Sequence, residues 1–478
     1  MRKLIIFINK MSQTERRNII ANQISQENKL ITNINNSEEK KMKGSILDII
    51  FLGLGASSLA IVKIPYNINL ISTFTFIISI GIANILSNIK FLDIYKIIEL
   101  KRDISNNRQE NNDDIYNKYF KICRNSKILY FTFMFSLSIY NVSEIIIHQI
   151  LIFRSLGGII NIIGEYDYDC VVTFLTDTFY NELVIKIMIN TFISFMILFP
   201  LCINEHDKTK NVFSKIGFYI MIYILLAVSI QSIFYFADNF IKGINFKDIN
   251  LYHMNRFPLK FLQSISIFYY CFGIHFPLVF QNSRLNNSEM KKIEKRKKEF
   301  IYSIIFNIIF YMIFSILGYL SVPNDVVDIV TEKKRLWHKD IVMTISRILL
   351  LPFCVFKIII NFDNLKKNAI PGIEITKKQK IIFVLIVLII TTGFVCLFQN
   401  IVGYITLIGG FFVSYQVFLF PRIIYYKYKD TRITENDERE YNLKIKNPIL
   451  KLFVGIILFI IGTAGGIYGI IDIANGEL

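Results

Sequence analysis

Glu144 and His148 stand four residues apart within an apolar stretch, a spacing that puts a carboxylate and an imidazole on one helix face, where they can share a proton. A third titratable group, His275, sits in the string Phe272-Gly273-Ile274-His275-Phe276-Pro277. There it could touch a bound molecule, take up a proton or hydrogen-bond a carbonyl freed beside it. A second interrupted string, Gly53-Leu54-Gly55-Ala56-Ser57-Ser58, carries no ionisable group, so its chemistry would be that of the backbone. Where a helix is broken, exposed N–H groups at one half-helix start attract a carboxylate, and exposed carbonyls at the other half's end accept from an ammonium. The combination suits a zwitterion, with Ser57, Ser58 and Phe272 shaping the pocket around its variable part.

The frame that must hold these residues is a membrane frame. The chain is 478 residues long, 53% hydrophobic and only 19% charged, with mean hydropathy +0.44, which is more apolar surface than a soluble core can hide. A run of about 20 apolar residues crosses a bilayer as a helix because a helix satisfies its own amides. Eleven segments meet that test: 45–66, 69–89, 127–152, 182–201, 213–237, 261–280, 299–321, 340–361, 380–399, 401–424 and 448–472. Only Gln399 and Asn400 separate the ninth from the tenth. A single helix across both would overshoot any bilayer, so a tight hairpin is expected there.

Basic residues test this map because they accumulate on the cytoplasmic side. With the N-terminus inside, and with Lys127, Lys215, Lys380 and Arg422 at the inner span ends counted as inner, inner segments hold 40 of the 54 Lys and Arg, outer loops hold 9, and Lys63, Lys186, Arg347, Lys357 and Lys451 lie within spans. That asymmetry supports eleven spans with the C-terminus outside, and it explains the net charge of +17 without nucleic acid. Of the six cysteines only Cys170 falls in an outer loop, so no extracellular disulfide within one chain is expected. Residues 1–43 read as a disordered cytoplasmic tail, and 90–126 as an inner loop whose start is partly helical. Lys186, Lys357 and Lys451, near span ends, read as snorkelling, and Glu144 is a candidate partner for Arg347.

The two interrupted strings fall in spans one and six, each the first of a group of five. A five-helix repeat re-enters the membrane from the opposite side, so the second copy is inverted, and paired broken helices then create a midplane site. The fold class expected is an all-α integral membrane protein of about eleven transmembrane helices: a 5+5 inverted repeat, with halves at about 44–237 and 261–424, plus one extra helix at about 448–472. The substrate-binding set is Gly53, Gly55, Ala56, Ser57, Ser58, Phe272, Gly273, Ile274 and His275. The proton-coupling candidates are Glu144, His148 and His275.

The string from Gly44 to Ile68 resembles the first helix of the amino acid/auxin permease family. Phe199-Pro200-Leu201 with Ser214, Phe272 with His275 and Pro277, and Gly318-Tyr319-Leu320 resemble later landmarks of that family. The most specific match runs from Ile401 to Lys427, where Gly403, Pro421 and Tyr425 sit like the family's tenth-helix glycine, proline and tyrosine. Ser57 replaces the second glycine of the family's broken segment, and Pro65-Tyr66 arrive three residues late. The resemblance implies a leucine-transporter-like fold and movement of amino acids, usually with a cation. Sodium-coupled relatives hold the ion with unwound carbonyls, an Asn and a hydroxyl; here the aligned residues are Phe51 and Leu350, neither of which can do so.

The partners expected are therefore an amino acid, a co-transported proton and membrane lipid, with no nucleic acid, no cofactor and no metal, in a plasma or vacuolar membrane. A multi-pass acyltransferase is the alternative enzyme reading, but none of the five histidines lies in an H-x-x-x-x-D or H-E-x-x-H arrangement. An amino acid sensor is the other alternative. No G-x-x-x-x-G-K-[ST] loop is present for a nucleotide-driven pump.

Overall fold

A backbone buried in hydrocarbon must satisfy its own hydrogen bonds, and the computed structural model of this chain answers with helices. It describes residues 46–47, 50–51, 53–54, 56–61, 63–104, 123, 126–178, 182–204, 210–241, 259–273, 289–321, 341–369, 376–397, 400–429 and 447–474. The tail expected over 1–43 lies outside them. Among the described residues there is no strand.

Among the described residues, helix is found at each of the eleven expected positions, in the sixth only as far as Phe272. α1 is broken at Leu54: helical residues at 46–47, 50–51 and 53 precede it, and two short pieces, Ala56–Ala60 and Lys63–Ile68, follow. α2 is Leu70–Ile104, α3 is Lys127–Thr178, and α4 runs from Glu182–Phe192 through a π-helical turn, Ile193–Leu198, into Phe199–Ile203. α5 is Lys210–Ile241, α6 is Leu259–Phe272, α7 is Glu289–Ser321, α8 is Ile341–Ala369 and α9 is Lys377–Leu397. α10 covers Ile401–Ile408, two π-helical stretches at Gly409–Val413 and Tyr415–Leu419, and Phe420–Lys427; α11 is Pro448–Ala474. Eight of these are long and apolar enough to cross a bilayer, and α4 adds a shorter apolar helix over Ile187–Ile203. The chain is an all-α, multi-pass integral membrane protein.

Three helices outrun the expected spans by ten residues or more. α2 continues to Ile104 rather than ending near 89, α3 reaches Thr178 rather than 152, and α7 starts at Glu289 rather than near 299. Hydropathy marks the thickness of the bilayer, whereas a helix stops only where its backbone is broken or capped. The extension Glu289-Met290-Lys291-Lys292-Ile293-Glu294-Lys295 is built of strong helix formers and continues into water. The sharp corners fall at asparagines. Asn69 adopts φ 80°, a conformation asparagine tolerates better than most side chains, and its Oδ1 accepts from the Ser72 amide at 2.7 Å to start α2. Asn400 caps α10 by accepting from the Gly403 amide at 2.8 Å, so α10 starts as a helix of its own after α9.

Lipid tails give apolar helices no reason to prefer each other over lipid, so association rests on close packing and interhelical hydrogen bonds. Isoleucines such as Ile78 and Ile82 on α2 and Ile386 and Ile389 on α9 face outward as lipid contacts, while α3 and α10 are the most enclosed spans. α11 lies against α6 and α10 with backbones almost touching. A Cβ on Gly409 would run into the Ser266 carbonyl, and one on Gly465 into Ser266 Oγ and the Leu262 carbonyl. Backbone cannot move aside as a side chain can, so Gly409→Val or Gly465→Val is expected to cost at least the about 1–3 kcal/mol typical of overpacking. Thermal unfolding of the detergent-purified variants checks this; an unchanged midpoint in both would mean the three helices are not so closely seated.

Candidate functional site

Breaking a transmembrane helix leaves carbonyls without an amide four residues on, and each must find another donor. α1 is interrupted at Leu54, just after a turn closed by the Leu54 amide on the Ile50 carbonyl at 2.9 Å. α6 ends at Phe272, followed by a turn in which the Gly273 amide reaches the Tyr270 carbonyl at 3.1 Å. Four carbonyls beside these interruptions accept from side chains of the surrounding helices. Lys357 Nζ on α8 donates to Phe51 O at 2.6 Å, and Asn84 Nδ2 on α2 donates to Phe272 O. The Tyr311 hydroxyl on α7 lies 2.6 Å from Gly53 O and 3.0 Å from Cys271 O. One hydroxyl thus reaches both the interruption of α1 and the described end of α6.

Beside this junction lies a polar cluster built on α3. Glu144 is buried; its Oε1 accepts from Tyr140, one turn earlier, at 2.9 Å and from Tyr270 on α6. His148 Nδ1 sits 3.3 Å from Glu144 Oε2 and 2.7 Å from the Glu144 main-chain carbonyl. Both neighbours are acceptors, so Nδ1 carries the ring proton. Nε2 is buried and has no hydrogen-bond partner among the described residues. Lys357 completes the cluster across the α3–α8 contact, within electrostatic reach of Glu144 and His148. Its ammonium lies 4.5 Å from the Phe51 ring centroid and 5.8 Å from that of Phe353, with the two rings edge to face at 5.5 Å. Gly217 on α5 leaves the space the Phe51 ring fills: a Cβ there would overlap it.

The sequence-derived candidates fall unevenly around this junction. Gly53 supplies one of the four carbonyls and Phe272 another, while the Phe272 ring packs edge-on to Tyr311 at 5.3 Å. Ser58 is fully buried in the first piece of α1, and its hydroxyl has no partner among the described residues. Ala56 and Ser57 share that helical piece. Gly273 faces α10, where a Cβ would collide with Val413, so the space beside it is already filled. Gly55, Ile274 and His275 lie outside the described residues. Glu144 and His148 are together, as their spacing requires.

Lys357 does not snorkel. It is 1% exposed and points inward to Phe51, because α3 and α8 pack so extensively that this face never reaches the lipid headgroups. The helix-eight cation set against Glu144 is accordingly Lys357; Arg347 lies ten residues earlier, about 15 Å along the helix. Tyr140 had a signal in the sequence, four residues before Glu144. Tyr270, Tyr311 and Asn84 had none, since they arrive from other helices.

A sequence model for the family described as "Transmembrane amino acid transporter protein" matches residues 70–468. "Putative amino acid transporter AAT1" of Plasmodium berghei (strain Anka) is 26% identical over 181 residues, 37% of this chain and 27% of that protein's length. Among solved structures, the Eremococcus coleocola manganese transporter in complex with an aromatic bis-isothiourea substituted compound aligns over 90% of this chain and 94% of its own, at 12% identity and TM-score 0.42. The family match spans most of the helical frame, from α2 to α11, and the chain belongs to the transmembrane amino acid transporter family.

Proposed function

We propose that this protein is a secondary transporter of amino acids that works by alternating access around a site between the interruptions of α1 and α6, and that it does not use sodium. The observation that carries the reading is the junction at Tyr311, where carbonyls of both broken helices lie within reach of one hydroxyl. Backbone exposed at such a meeting point recognises the ammonium and carboxylate common to all amino acids. The buried Ser58 hydroxyl, which has no partner among the described residues, is one further group for a ligand in this region. Gly53, Gly55, Ala56, Ser57, Ser58, Phe272, Gly273, Ile274 and His275 remain the proposed binding set, and Glu144, His148 and His275 the groups that would exchange a proton.

Independence of sodium rests on the donor set. A hard cation needs several oxygen ligands, whereas Phe51 O already accepts from an ammonium and the Leu350 side chain is a buried hydrocarbon. Uptake of a mixture of labelled amino acids by cells expressing the chain tests the whole reading. Uptake is expected to persist when choline replaces sodium and to rise with an inward proton gradient. Loss of most flux in choline would overturn the assignment, and absence of flux for every amino acid would overturn transport itself.

A further inference from the structure

We propose that Lys357 is a tethered cation that holds α1 against α3 and α8 while it is charged, and that loading and releasing its proton couples amino acid movement to a proton gradient. The inference rests on the transport reading above and deepens it by naming the residue that carries the coupling.

Lys357 is unlike the other lysines of the spans. Its ammonium is buried, its 2.6 Å bond ends on a main-chain carbonyl just ahead of the α1 interruption, and the Phe51 and Phe353 rings lie against it. A charged donor binds a carbonyl roughly twice as strongly as a neutral one, so the strength of this bond follows the charge on the amine. It is also one of the few direct polar ties from the scaffold helices to the segment that must move if access alternates. α3 brings Glu144 and His148 to Lys357, and α8 itself brings Cys354. Among the described residues α1 contributes the Phe51 carbonyl and ring. The titratable α5 residue with a bond to α8, Tyr223, donates at 3.3 Å to Val342, at the far end of the helix from Lys357.

The cycle balances with one proton. The neutral amine takes a proton from the outer side, and the resulting ammonium draws Phe51 O toward α8 and faces the Glu144 carboxylate. On the inner side the ammonium gives that proton to water, either directly or through Glu144 and the open Nε2 of His148. The weakened tie then lets α1 swing away and the amino acid leave. One proton crosses with one amino acid, and no other reactant is consumed.

Lys357→Met and Lys357→Arg, reconstituted in proteoliposomes beside the wild type, test this. Methionine fits the surrounding aromatic space without a charge, and arginine keeps a charge that it does not release. The wild type is expected to accumulate labelled amino acid when an inward proton gradient is imposed. Both variants are expected to lose gradient-driven accumulation at least tenfold, and Lys357→Arg, whose tie to Phe51 O never loosens, is expected to lose exchange of labelled for unlabelled amino acid as well. Accumulation at the wild-type level by either variant overturns the proposal, and if Lys357→Met fails to insert, Lys357→Arg alone decides. Wild-type flux that ignores the proton gradient also overturns it while leaving transport intact. Absence of any wild-type flux instead overturns the transport reading on which it rests.

Discussion

Glu144→Ala is expected to abolish uptake and to destabilise the folded protein by about 1–3 kcal/mol, the cost of leaving buried hydrogen-bond donors without their acceptor. Four groups converge on this carboxylate: the Tyr140 and Tyr270 hydroxyls, His148 Nδ1 and, through its field, the Lys357 ammonium. Alanine leaves the hydroxyls without their acceptor and the ammonium without a counter-charge, in surroundings where water cannot replace either. Glu144→Gln keeps an acceptor for the tyrosines and removes only the charge, so it is expected to fold better and still lose proton-driven accumulation. Combining Glu144→Ala with Lys357→Met removes both charges. The double variant should then be more stable than the sum of the single losses predicts, with a coupling of about 0.5–3 kcal/mol. Thermal unfolding in detergent measures the stability terms and proteoliposome uptake the functional one. If Glu144→Ala melts and transports like the wild type, the cluster has neither role.

The sequence displayed the membrane frame clearly because bilayer thickness imposes one length on every span, and all eleven apolar runs meet it. The corner at Asn400 was equally visible, since a polar pair is the only interruption in an otherwise overlong stretch. The true ends of α2, α3 and α7 were hidden: beyond the headgroups a helix can continue on propensity alone, and hydropathy is blind to it. The π-helical turns of α10 were hidden for another reason. Nothing in the sequence around Gly409 and Gly410 marks them, and only their contacts with Ser266 and Gly462 reveal how closely the backbones approach.

The candidate site divides along the same line. Glu144 and His148 were legible because local helical spacing brings them together, whatever the tertiary fold. Lys357 was misread because its place near a span end is a one-dimensional fact, while its burial is decided by the α3–α8 contact. Tyr270 and Tyr311 were illegible for want of contrast: with 25 tyrosines in the chain, neither phenol stands out until a partner from another helix is set against it. What a sequence cannot display is which freed carbonyl meets which donor, and at the α1–α6 junction it is that pairing which defines the candidate site.

The pairing at Tyr311 gives the second large effect: Tyr311→Phe is expected to slow uptake about tenfold to a hundredfold while the protein still inserts and folds. A hydroxyl has a single proton, so Tyr311 donates to Gly53 O or to Cys271 O and cannot serve both fully at once. Phenylalanine fills the same space and preserves the edge-on contact with Phe272, but it leaves a buried carbonyl unpaired at a cost of about 1–3 kcal/mol. That cost falls on the arrangement in which the two interruptions are drawn together. If that arrangement precedes translocation, the penalty converts to rate at about tenfold per 1.36 kcal/mol. Tyr269→Phe is the matched control, because its hydroxyl donates at 3.2 Å to Leu458 O on α11, away from both breaks. The control should lose comparable stability and keep near-normal uptake. Equal slowing in the two variants would mean that uptake tracks stability alone, and wild-type uptake in Tyr311→Phe would mean that the two broken helices work independently of this hydroxyl.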